Sequence, residues 1–189
     1  MKEHEMPVVI DNESIFDIYQ VYTGGLRNEE ELTQKQFVEA VQYAEKLGMP
    51  RQNIGLTSGN TRYGAELGVL LIGTDLLPLS ERSDNPNSNI SWRGTLAHEI
   101  VGHKEACEAG RALLTSEDML MARNGELSKE EVYYKEALDE AQASVRAAKF
   151  APDLSDIERQ DLMDDAIARL SKRNIVYKDV TSKLYLEKR

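Results

Sequence analysis

The sequence predicts a mainly helical α+β domain, with a small sheet beside one histidine-bearing helix. Four long segments repeat their apolar residues at helical spacing. One short run, residues 67–72, is strongly apolar and β-favouring, and lies between Gly64 and Gly73. Capping and turn residues stand at the ends of these segments, where a change of structure is needed.

Each element follows from local signals. Residues 14–22 read as a short helix ended by Gly24 and Gly25. Residues 33–47 form a clearer helix, with Phe37, Val38, Val41, Ala44 and Leu47 on one face, Thr33 as cap and Gly48 as stop. Residues 54–56 are a brief strand, and 67–72 a stronger one. Residues 77–91 contain Asp84-Asn85-Pro86-Asn87 and read as an exposed loop. Ser91 caps the next helix, which runs to about Ala109 and stops at Gly110. A short helix takes in residues 117–122, before an Asn124-Gly125 turn. Residues 129–150 form a long helix, opened by Ser128 with Glu131 three residues on, a capping box. Pro152 marks a break. Residues 155–172 form another helix, with Ile157, Leu162, Ile167 and Leu170 as its apolar positions. Residues 174–186 alternate enough for a strand or an extended tail.

A chain of 189 residues suits one domain, taken as residues 31–189, with residues 1–30 as an N-terminal segment or appendage. A hydrophobic content of 41% supports a real core, and a net charge of −10 argues against nucleic-acid partners and anionic membranes. No apolar run approaches the roughly 18 residues of a membrane span. The N-terminus has no apolar signal-peptide core, so a soluble protein is expected, cytoplasmic or exported by a route not encoded in this segment. Cys107 is the only cysteine, which excludes an internal disulfide, and it reads as a small buried thiol.

The chemistry is concentrated in His98-Glu99-Ile100-Val101-Gly102-His103. Two imidazoles on one helix face can bind a divalent metal, and a glutamate after the first can act as general base on water. The usual spacing between the histidines is four residues; here it is five. In a regular α-helix, i and i+4 lie about 40° apart, but i and i+5 about 140° apart. A single-turn π-bulge absorbs one residue and restores the pairing, and Gly102 would ease the distortion.

Zinc catalysis usually takes three protein ligands and one open position. His4, in the acidic N-terminal tail, is the only other histidine, so a carboxylate must complete the set. On the 129–150 helix, Tyr133, Ala137, Ala141, Ser144 and Ala148 share a small and apolar face. Glu140 sits at its edge, Glu136 lies about 40° further toward the polar side, and Asp139 is expected to point to solvent. Glu140 is the candidate third ligand and Glu136 the reserve.

His-Glu-Ile-Val-Gly-His resembles the H-E-x-x-G-H motif of the dipeptidyl peptidase III family, a branch of the gluzincin metallopeptidases. The second motif of that family is Glu-Glu-x-Arg-Ala-Glu, whose second glutamate binds zinc. Asp139-Glu140-Ala141-Gln142-Ala143-Ser144 is similar to it, and the likeness places the ligand role on Glu140. It differs at Asp139, Gln142 and Ser144, positions that bear on support of the histidines from behind. The layout also resembles the compact zincin-like domains at the ends of bacterial polymorphic toxins. The resemblance implies a zincin-like metallopeptidase with Zn²⁺ held by His98, His103 and Glu140, and with Glu99 as general base.

A peptide or protein substrate follows from that reading, with a carrier or immunity protein as partner if the chain is a toxin domain. Zincin-like proteases bind peptide as a strand added to a sheet edge, and residues 67–72 are the candidate strand, although their hydrophobicity also suits a buried position. Tyr133, on the ligand face of its helix, is taken as the second catalytic residue. Tyr63, Arg62, Arg93 and Arg146 are further candidates for stabilising an oxyanion. A metal-dependent hydrolase of other substrates, and a metal-binding interaction domain without turnover, are the rival readings.

Overall fold

The computed structural model describes residue 27 and residues 30–188. The helix expected at 14–22 lies outside the described residues.

Helix α1, Gln34–Lys46, begins where the side chains of Thr33 and Gln36 satisfy each other's backbone N–H. It ends at Gly48, which has φ +95°, a conformation costly for a residue with a Cβ. Three short strands follow: β1, Ile54–Leu56; β2, Arg62–Gly64; and β3, Val69–Ile72. Their order is β1-β3-β2, with β1 parallel and β2 antiparallel to β3. The expected strand at 67–72 is therefore shorter and central. Both its edges are paired, so it cannot accept an added peptide strand, and Leu70 and Ile72 are buried. Sequence reading missed β2, which is half-buried and has no apolar run to mark it.

The 77–91 segment differs from expectation. Asn85 caps a 3₁₀ turn at Pro86–Asn89, and Asn87, Ser88 and Ile90 are buried. Arg82 clamps the segment to the last long helix, Asp156–Ser171, through two bonds to Asp161, at 2.6 and 3.2 Å.

Ser91 caps α2, Trp92–Ala97, by accepting from the N–H of Gly94. The helix continues through a π turn, His98–Lys104, into α3, Glu105–Glu108. Then come α4, Ser116–Arg123; α5, Lys129–Phe150; α6, Asp156–Ser171; and α7, Tyr177–Val180. The strand considered for 174–186 is instead α7 and a 3₁₀ turn at Thr181–Lys183, followed by a non-regular tail.

Two apolar clusters hold the fold. One joins α1, β3, α2 and the C-terminal part of α5; the other joins the middle of α5 to α6, α7 and Leu184. α6 buries only part of the face expected: Leu162 and Leu170 are fully buried. Ile157 and Ile167 are exposed, whereas Asp161 and Asp165 are buried beside Leu162, Ala166 and Leu170. The outcome is a mainly helical α+β fold with a small sheet beside the histidine-bearing helix. No helix among the described residues is long and apolar enough to cross a membrane.

Candidate metal centre

The π turn solves the spacing problem of the two histidines. Its wider winding brings His98 Nε2 and His103 Nε2 to 3.1 Å, with the rings edge to face. Gly102 has a different use from the one its sequence position suggests. A Cβ there would lie 2.6 Å from Ala143 Cβ and 2.7 Å from the Ala143 carbonyl oxygen. The missing side chain lets the π turn rest directly on α5, which delivers Glu140 to the histidines.

Glu140 Oε2 lies 3.3 Å from His98 Nε2, and Glu140 Oε1 lies 3.3 Å from His103 Nε2. These separations match a tetrahedral metal site, whose edges are about 3.3 Å for bonds of about 2.0–2.1 Å. His98, His103 and Glu140 thus form a group that could hold a metal ion. Glu136, one turn before Glu140, is not in the group; burial and the neighbouring Glu140 raise its carboxyl above the ordinary range.

Both histidines are held from behind. Asp139 does not point to solvent. Its Oδ2 lies 3.2 Å from His103 Nδ1, and its Oδ1 accepts from the N–H of Leu113 at 2.6 Å. Ser144 Oγ lies 2.9 Å from His98 Nδ1. Two of the three positions at which the second motif departs from the metallopeptidase pattern, Asp139 and Ser144, therefore contact the histidines, whereas Gln142 bonds Arg111 O and Tyr185 N instead. With each Nδ1 engaged, both Nε2 atoms face inward.

Sequence reading missed Arg169. Its Nη1 is 2.7 Å from Glu140 Oε2, and its Nε donates to Asp165 at 2.8 Å. The signal was present as Asp161, Asp165 and Arg169, spaced by four along α6 and in register with Leu162, Ala166 and Leu170. Polar residues at that spacing look like a solvent face until a buried partner is known.

The electrostatics follow from crowding. Burial opposes a charge on Glu140, but Arg169 and His103 outweigh it and hold the carboxyl well below its usual range. Burial likewise opposes a charge on His103, yet Glu140 and Asp139 raise its imidazole well above the ordinary value. Glu99 is the counterpart: burial pushes its carboxyl up, and the two histidines pull against that. Its Oε2 accepts the backbone N–H of Tyr63 on β2 at 2.8 Å. Cys107 is half-buried near His103 and Asp139, and burial raises its thiol.

The other candidates divide. Tyr133 lies two turns from Glu140, about 10 Å along α5, with its ring against Arg173 and Lys129 at 4.2 and 5.4 Å. Among the described residues no hydrogen bond ties Tyr133 to the ligands, so its placement as catalytic is not carried by the geometry. Arg146 is fully buried and structural: it binds Val101 O, Tyr185 O, Glu187 O and Glu105. Arg93 lies over the Trp92 ring, and Arg62 bonds to Asn60 O. Arg62 and Tyr63 both stand on β2, and it is the backbone N–H of Tyr63 that bonds Glu99. No protein-family model matches this sequence, and no curated protein or solved structure shows significant similarity to it.

Proposed function

We propose that this chain is a zinc-dependent metallopeptidase in which His98, His103 and Glu140 hold the metal and Glu99 is the general base. The observation that carries this reading is the convergence of two imidazole Nε2 atoms and one carboxylate at tetrahedral spacing, with a second, separately held carboxylate beside them. Two imidazoles and a carboxylate suit zinc among the common divalent metals. When bound, zinc lowers the pKa of water and polarises a carbonyl.

The chain's own residues supply the rest. The Tyr63 N–H holds Glu99 Oε2 and leaves Oε1 to take the proton of the attacking water. Glu99, raised by burial toward neutrality, then returns that proton to the leaving amine. β2 is an edge strand beside Glu99, which suits alignment of a peptide by strand addition. Asp139 and Ser144 keep the imidazoles oriented, so little reorganisation is needed during turnover.

Elemental mass spectrometry on purified wild type, His98→Ala and Glu140→Ala tests the centre. Near-stoichiometric zinc in the wild type, lost in both variants, is the expected result. Zinc retained by Glu140→Ala would move the third ligand elsewhere. A wild type that takes up no zinc when it is offered would end the reading. Digestion of a peptide library by the zinc-loaded protein separates peptidase activity from hydrolysis of other substrates.

A further inference from the structure

The second α-helical support of the site comes from α6, and it reaches both a histidine and the glutamate. Asp165 is 1% exposed and Ser144 is fully buried, so no bulk water substitutes for their bonds. Asp165 Oδ2 accepts from Ser144 Oγ at 2.7 Å and from Arg169 Nε at 2.8 Å, while Oδ1 accepts from Asn87 Nδ2 at 3.4 Å. A carboxylate offers no hydrogen, and a serine hydroxyl has only one. The hydrogen of Ser144 therefore belongs to Asp165. Its oxygen can then only accept at His98 Nδ1, 2.9 Å away. His98 must carry a hydrogen on Nδ1, which leaves the lone pair of its neutral ring on Nε2, toward His103 and Glu140.

The same carboxylate acts a second time through Arg169. This guanidinium bridges Asp165 and Glu140 Oε2, the oxygen that faces His98 Nε2. Asp165, Ser144, His98, Glu140 and Arg169 close into a ring of contacts. His103 is served differently, by direct contact with Asp139 of α5.

We infer that Asp165 is a positioning residue for the metal centre, setting the tautomer of His98 through Ser144 and the orientation of Glu140 through Arg169. The metal-affinity part of this inference rests on the function proposed above; the tautomer part does not.

The test uses the full chain with ¹⁵N-labelled histidine. Long-range ¹H–¹⁵N spectra at alkaline pH read the His98 tautomer of the metal-free protein. Competition with a chromophoric chelator gives zinc affinity for wild type, Ser144→Ala, Asp165→Asn and Asp161→Asn. We expect His98 protonated on Nδ1. Zinc affinity should fall about 10- to 100-fold in Ser144→Ala and Asp165→Asn. Asp161→Asn, which loosens the Arg82 clamp on the same helix, should leave it unchanged. An Nε2-protonated His98, or full zinc affinity in both Ser144→Ala and Asp165→Asn, overturns the inference. If the wild type takes up no zinc, the proposed function fails separately, and the tautomer still decides for or against the relay. The tautomer also decides it if the variants do not fold.

Discussion

Glu99 and Gly102 show how single side chains set this site. Glu99 is held at one oxygen by a backbone N–H, and among the described residues no hydrogen bond is made at the other, so a neutral replacement of the same shape keeps the geometry. Glu99→Gln is expected to retain stoichiometric zinc and to lose hydrolysis by about 10²- to 10⁴-fold. Metal analysis beside a peptide digest checks both halves, and activity surviving the change would exclude Glu99 as the base. Gly102 is under a steric constraint. A methyl group there meets the Ala143 backbone, which cannot swing away as a side-chain tip can. Gly102→Ala should destabilise the fold by about 1–3 kcal/mol and weaken zinc binding by moving α5 off the π turn. Denaturant unfolding and chelator competition report the two effects. At this scale the grouping of His98, His103 and Glu140 was legible, because it follows from residue type and spacing. Asp139 was misread. Its helical position faces away from the small-residue stripe, and only the return of residues 113 and 114 over it closes it off from water.

Among the elements, α2 and α6 are joined at their N-termini by Ser91. Its Oγ caps α2 at Gly94 and donates to Glu158 Oε1 at 2.6 Å, while Glu158 Oε2 completes the capping box of α6 with Ser155. Ser91→Ala loses both bonds and should cost about 1–2 kcal/mol, measured by thermal or denaturant unfolding. The bond also has a pH signature. Burial would raise the Glu158 carboxyl, but Ser91 and Ser155 overcome this and lower it. A lowered folded-state value stabilises the protein above the unfolded value, and this contribution is lost as the pH falls through the folded value. Ser91→Ala should therefore flatten the acid limb of the stability profile. Helix ends were legible here because capping is a local transaction: Thr33, Ser91 and Ser128 all cap as their sequence positions suggest. The buried face of α6 was legible only in part, at Leu162 and Leu170. Its two isoleucines suggested one face, but Asp165 and Arg169 are drawn inward by Ser144 and Glu140, contacts that exist only across helices.

Over the whole molecule, Arg146 ties the C-terminal tail to the metal-site helix. The guanidinium is fully buried and joins Val101 O on the π turn, Glu105 on α3 and two carbonyls of the tail. Gln142 adds a bond to the tail at Tyr185 N. Arg146→Ala leaves Glu105 and three carbonyls without that partner, and should cost about 3–5 kcal/mol. A lowered denaturation midpoint, with the tail more open to proteolysis, is the expected result. An unchanged midpoint would mean that water replaces the arginine at little cost.

The sequence by itself determined the long helices from residue 33 onward, several of their caps, the presence of a short sheet, and the residues of the group that could hold a metal ion. These depend on periodicity, capping chemistry and the need of a metal for particular donors at particular spacing, all of which are local. Tertiary structure decided the rest. It made β3 central and β2 the edge beside Glu99, because strand order depends on which faces bury together. It also turned Asp139, Ser144, Asp165 and Arg169 from ordinary polar residues into the supports of the site. Their partners lie on other elements, and a buried polar group acquires its role only when packing chooses the group it must satisfy.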